Sequence, residues 1–147
     1  MKLTILLADA AQDAPNGKIS ALGAGWTRIS HPVRGFVVLG FAELGRDEAD
    51  RPHKIVITLC DGAGNPFRGD LDEEVIRVDV GLDGGRADDL AEYESVRIQF
   101  AVQIPAGMPT PPGGYEFQAV ADNDPQSRTS YQFRVMEPLP NERTAAE

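Results

Sequence analysis

Apolar and polar residues alternate with a period of two along almost the whole chain. In SVRIQFAVQI, residues Val96, Ile98, Phe100, Val102 and Ile104 fall on one side, and Arg97, Gln99, Ala101 and Gln103 on the other. Side chains of an extended strand point alternately to its two faces, so this spacing predicts a strand with one buried and one wet face. HKIVITLCD repeats the pattern with Ile55, Ile57 and Leu59 inward, and EVIRVDV with Ile76, Val78 and Val80. YEFQAVA gives Tyr115, Phe117 and Ala119, while SYQFRV gives Tyr131, Phe133 and Val135. KLTILLA and GKISALGAGWTRI read as two further strands near the start, and GFVVLGFAEL as another.

The eleven prolines all fall between these apolar runs. Proline has no N–H for a sheet ladder, so their placement supports the same segmentation independently. DGAGNP at Asp61–Pro66 is turn chemistry, and PAGMPTPPGG at 105–114 a longer crossing loop. Only RADDLAEY, 86–93, has room for a turn or two of helix. About eight strands with almost no helix predict an all-β fold, a two-layer antiparallel β-sandwich with immunoglobulin-like Greek-key connections. Tyr115, at the start of the penultimate strand after a proline-rich loop, is expected to pin that loop by bonding backward. One domain over 1–136 is expected, with 137–147 as an aperiodic tail.

GFVVLGFAEL breaks the alternation. If Phe36, Val38, Gly40, Ala42 and Leu44 face one way, then Val37, Leu39 and Phe41 face the other, and both faces are apolar. Two expectations follow: the 81–93 loop or the tail covers the second face, or Val37, Leu39 and Phe41 form a subunit interface.

Gly23-Ala24-Gly25, followed by the single tryptophan, invites comparison with a phosphate-cradling loop. Such a loop needs a third glycine and a helix after it, and neither is here. The stretch is expected to be one kinked strand, with the glycines at a bulge. Trp26 on its far side is the candidate platform for a small ligand.

Charge narrows the partners. The net charge is −9; residues 1–68 carry eight Lys/Arg against seven Asp/Glu, and residues 69–147 six against sixteen. That balance repels phosphate backbones, so nucleic acid is not an expected partner. No apolar run approaches the ~18–20 residues of a membrane helix, so no membrane partner is expected. MKLTILLADA superficially resembles an export signal, but its apolar run is short and Asp9 sits where a cleavage site should be small and neutral. With a single cysteine, Cys60, the expectation is a soluble cytoplasmic protein.

Catalytic chemistry finds little purchase. His31 and His53 each sit beside a proline at a strand border, without ligand spacing to other metal-binding residues, and read as surface turn residues. Cys60 reads as a semi-buried, inert thiol; His53 is seven residues away on the same strand, roughly 23 Å at ~3.3 Å per residue, too far to activate it. No nucleophile elbow, phosphate loop or zinc-protease helix motif is present. Acidic loops at Asp122-Asn123-Asp124, 70–74 and 81–89 could hold calcium at a sandwich end, though acids in turns are expected anyway. No catalytic residue, metal ligand or cofactor is predicted.

LLADAAQ followed by GKISALGAGW resembles an uncharacterised bacterial family found especially in actinobacteria and their phages. Its members look like L-L-A-D-A-A-Q, G-K and L-G-G-G-W, with Ala24 here replacing the middle glycine. RPHKIVITLCDGAGNP (51–66) and PPGGYEF (111–117) are similar to later features of the same family. The resemblance implies one small β domain of bacterial or phage origin, and no activity. Together these readings predict a non-catalytic structural or protein-interaction module, with itself or another protein as partner. A phage virion decoration subunit is one concrete form. The alternative is a small-ligand or carbohydrate-binding module using Trp26 and the acidic loops, with calcium assisting.

Overall fold

A computed structural model of the chain describes residues 1–13, 18–69, 73–83 and 90–138. Ten strands occur among them: β1 (Lys2–Ala8), β2 (Ala10–Asp13), β3 (Ile19–Leu22), β4 (Arg28–Ser30), β5 (Phe36–Gly45), β6 (Pro52–Asp61), β7 (Arg77–Asp83), β8 (Ser95–Ile104), β9 (Gly113–Ala121) and β10 (Arg128–Met136). No described residue is helical. The part of the helix expectation that falls on 86–89 lies outside the described residues, as do residues 139–147 of the expected tail.

The strands form a three-stranded sheet in the order β1-β5-β8, a five-stranded sheet in the order β4-β10-β9-β6-β7, and a separate β2-β3 hairpin. The short β4 runs parallel to β10, and the other pairings are antiparallel. The alternation read from the sequence is the alternation of burial. On β6, His53, Ile55, Ile57 and Leu59 point into the core, as do Tyr115, Phe117, Ala119 and Ala121 on β9. Leu3, Ile5 and Leu7 of β1 and Phe36, Val38 and Ala42 of β5 meet them from the other sheet. Aromatic rings fill the centre. Phe117 and Phe133 stack at 5.4 Å, and Phe36 meets Phe117 edge-on at 6.0 Å.

Gly40 shows how tightly neighbouring strands of one sheet fit. It lies opposite Phe100 in the β5–β8 register, and a Cβ on it would collide with the Phe100 ring. The absent side chain is the space that the ring occupies. Tyr115 donates its hydroxyl to the Pro111 carbonyl at 2.6 Å, so the proline-rich loop is tied to the strand that leaves it.

The start of the chain corrects the expectation of one kinked strand across GKISALGAGWTRI. The segment is two strands in different sheets: β3 belongs to the hairpin and β4 to the five-stranded sheet. Gly23 (φ 61°) and Gly25 (φ 91°) turn the chain between them, in a backbone region that residues with a Cβ avoid. The turn is held where it passes β1, with the Gly25 N–H bonded to the Leu7 carbonyl at 2.7 Å. The glycines form a turn between strands and not a bulge within one, because the two flanking segments pair with different neighbours, which local pattern does not reveal.

Candidate functional site

The outer face of the three-stranded sheet carries the residues proposed as an interface. Val37, Leu39 and Phe41 do point away from the main core, as their parity requires. The β5 register places them beside Ala8, Leu6 and Thr4 of β1, and beside Gln103, Ala101 and Gln99 of β8. Val37 and Leu39 are nevertheless buried, at 2% and 5% exposure, in a small second core with Ala8. Leu6, Ala11 and Ile19 pack against it. The β2-β3 hairpin therefore covers this face; of the covers expected from the sequence, residues 84–89 of the loop and 139–147 of the tail lie outside the described residues.

The hairpin is fastened at both ends of its span. The Asp9 N–H bonds to the Leu22 carbonyl at 3.0 Å, and the Ile19 N–H to Gln99 Oε1 at 2.9 Å. Phe41 is half-buried, with the Arg97 guanidinium 5.9 Å from its ring centroid. Arg97 also reaches Glu43 at 4.0 Å, an exposed pair worth little by itself. Thr4, Ala101 and Gln103 are exposed on this face.

β8 borders this surface and ends the sheet. β5 pairs with one side of it along all ten residues, and among the described residues no strand pairs with the other. Only Arg97 of the ten is charged, and none is proline.

Trp26 does not stand out as a platform. Half-buried, it packs edge-on against Phe36 at 5.4 Å and Phe133 at 6.4 Å, closing the end of the core. Its backbone carbonyl accepts the Tyr131 hydroxyl at 2.7 Å, and its indole Nε1 is buried without a hydrogen-bond partner.

The titratable groups are engaged in structure. His53 is buried, which corrects its reading as a surface turn residue. It shares parity with Ile55, Ile57 and Leu59, so the strand pattern carries the signal even beside Pro52. Its Nδ1 lies 2.6 Å from Asp122 Oδ2, and its Nε2 lies 2.7 Å from the Glu48 carbonyl oxygen. Both partners accept, so the doubly protonated ring fits them best. Burial pulls its pKa down, but the Asp122 bond and the Glu48 carbonyl outweigh it and leave the value raised. For Asp122 burial acts upward, and the bonds from His53 and the Lys54 N–H prevail, leaving it lowered.

This cluster ties the β5–β6 turn to the β9–β10 turn. Neither ring nitrogen is available to a substrate. Cys60, expected to be semi-buried, is buried outright, because the Asp61–Pro66 turn folds back to a bridge between Cys60 and Pro66. Burial, then the Glu116 carboxylate, pushes its thiol up to about 11, the opposite of an activated nucleophile.

Asp124, the other acid of the 122–124 turn, accepts from the Gln126 N–H at 3.0 Å and the Ser127 hydroxyl at 3.4 Å. Among the described residues no three metal-ligating side chains gather. Residues 70–72 and 84–89 of the other acidic loops lie outside the described residues. No helix among the described residues is long and apolar enough to cross a membrane. Comparison with the curated proteins and with the solved structures gave no match. A family model does match, over residues 3–135, which takes in both sheets and the hairpin on the outer face of the smaller one; the chain belongs to this family of unknown function, DUF6941.

Proposed function

We propose that the chain is a non-catalytic interaction module that pairs with a second copy of itself along β8. The carrying observation is the edge of that strand: ten residues with one charge, no proline and no strand beside it among the described residues. Sheet edges left open to solvent are ordinarily blunted by charge, proline or cover. The other sheet ends on β7, which has Arg77, Asp79 and Asp83 in seven residues and is blunted in this way.

Antiparallel pairing of two β8 strands about a two-fold axis at Phe100 sets Arg97 opposite Gln103 and Gln99 opposite Ala101. No like charges meet, and the outer faces join into one surface carrying Phe41 from each copy. The framework we infer is an immunoglobulin-like Greek key. In support, the strand orders β1-β5-β8 and β4-β10-β9-β6-β7 interleave as such sandwiches do, and Tyr115 bonds back from the penultimate strand. A cytoplasmic module, or a virion subunit, would fit this reading; the latter rests on the sequence resemblance alone. The ligand-platform reading has weaker support, because Trp26 gives its ring to the core.

Light scattering across a concentration series tests the proposal. A mass about twice the 15.9 kDa chain is expected, returning to 15.9 kDa in Ala101→Lys/Gln103→Lys with the thermal midpoint kept. A 15.9 kDa species at every concentration, or a dimer that survives the double substitution, overturns it.

A further inference from the structure

The outer face of the five-stranded sheet holds a groove of about 290 Å³. Its floor is Val56 on β6 and Val120 on β9, which are cross-strand partners. Thr58 and Gln118, the next facing pair, continue it. Arg77 on β7 and Arg128 on β10 line it from opposite sides, since the order β10-β9-β6-β7 puts one on each flank of the central pair. The turn between β9 and β10, where Asp122 and Asn123 both have positive φ, brings Asn123 and Pro125 to its end.

The competing acids are largely answered elsewhere. Asp79, in the row of Val56, pairs with Lys54 at 3.0 Å, and Glu116 accepts from Gln118 at 2.7 Å. Glu74 reaches Arg77 at 3.8 Å, a long contact that leaves most of that guanidinium's donors free. Arg128 shares its row across the sheet with Val120, Val56 and Asp79, of which only Asp79 is charged. Gln118 spends both amide hydrogens, on Glu116 at 2.7 Å and on the Gly64 carbonyl at 3.2 Å, so the donors facing the groove are those of the two arginines.

We infer that this groove binds a small organic anion: a phosphate or carboxylate held between Arg77 and Arg128, with an apolar portion on Val56 and Val120. Two guanidiniums facing across an apolar floor supply forked donors for the anion and a dry contact for its body. The volume falls just below the about 300–1,000 Å³ of ligand sites, which restricts the ligand to a small molecule. A chain of net charge −9 disfavours anions over most of its surface, so binding here depends on these two side chains.

The test is titration of the full chain with phenyl phosphate and with inorganic phosphate, followed by backbone amide shifts. Saturable shifts at Thr58, Gln118 and Arg128 are expected, tighter for phenyl phosphate, with a Kd of about 1 mM or below. Arg128→Gln and Arg77→Gln should each weaken binding about tenfold, with the thermal midpoint kept. Arg134→Gln, farther along β10, should leave it unchanged. Shifts that fail to saturate at about 10 mM, or equal weakening by Arg134→Gln, overturn the inference. Because the groove and the β8 edge lie on different sheets, loss of self-association would leave this result standing.

Discussion

β5 and β6 are both ten-residue strands at or near the middle of their sheets, yet their outward positions meet different surroundings. On β5 those positions are Val37, Leu39 and Phe41, and the β2-β3 hairpin lies over the first two. On β6 they are Lys54, Val56 and Thr58, the first exposed and the other two half-buried beside an open groove. A strand that is apolar at both parities needs a third layer, whereas one that alternates does not. Here the third layer is two strands of four residues, contributing Ala11 and Ile19 as its apolar contacts.

The sharpest way to break this contrast is to truncate the covered face. Leu39→Ala should cost about 2–4 kcal/mol, as for a core leucine, in denaturant unfolding. A loss below about 0.5 kcal/mol would mean that the hairpin does not keep water out. Next comes the same substitution at two strand glycines. Gly40→Ala forces its new methyl into the Phe100 ring and should cost about 1–3 kcal/mol, while Gly81→Ala on β7, with no atom within 4 Å, should be close to neutral. Equal effects at the two glycines would contradict the packing described around Phe100.

The His53 cluster predicts a pH dependence of both signs. His53 has a raised folded pKa, so its contribution is complete below the ordinary 6.5 and is lost as pH rises through the folded value. Asp122 has a lowered one, so its contribution is complete above the ordinary 3.8 and is lost as pH falls through the folded value. Between 3.8 and 6.5 both are present. Thermal midpoints measured from about pH 6 to about pH 9 should fall, and His53→Gln should flatten that decline. An identical decline in the variant would assign it to another group. The smallest effect belongs to the open face: Thr58→Ala should change stability by no more than about 0.5 kcal/mol.

Strand parity made much of this legible in advance. The inward faces of β6, β8, β9 and β10, the outward direction of Val37, Leu39 and Phe41, and the backward bond of Tyr115 all follow from local pattern. The hairpin does not, because Ala10–Asp13 is too short and too small in side chain to signal a strand, and its partner Ile19–Leu22 runs on in sequence to Trp26 without a polar break. The burial of His53 follows from the parity of Ile55, Ile57 and Leu59, a stronger signal than the proline beside it. The groove between Arg77 and Arg128 joins residues from β7, β6, β9 and β10, and only the sheet order brings them together. Pairing between distant segments is the information that periodicity lacks.

Backbone amide hydrogen exchange, read along β7 and β8 at low and high protein concentration, tests the central claim most directly. Both strands end a sheet, so in an isolated chain the outward-pointing amides of both should exchange readily. If β8 is the site of self-association, its outward amides become protected as concentration rises while those of β7 do not. Protection of β8 that is independent of concentration, or that develops equally on β7, would contradict the account.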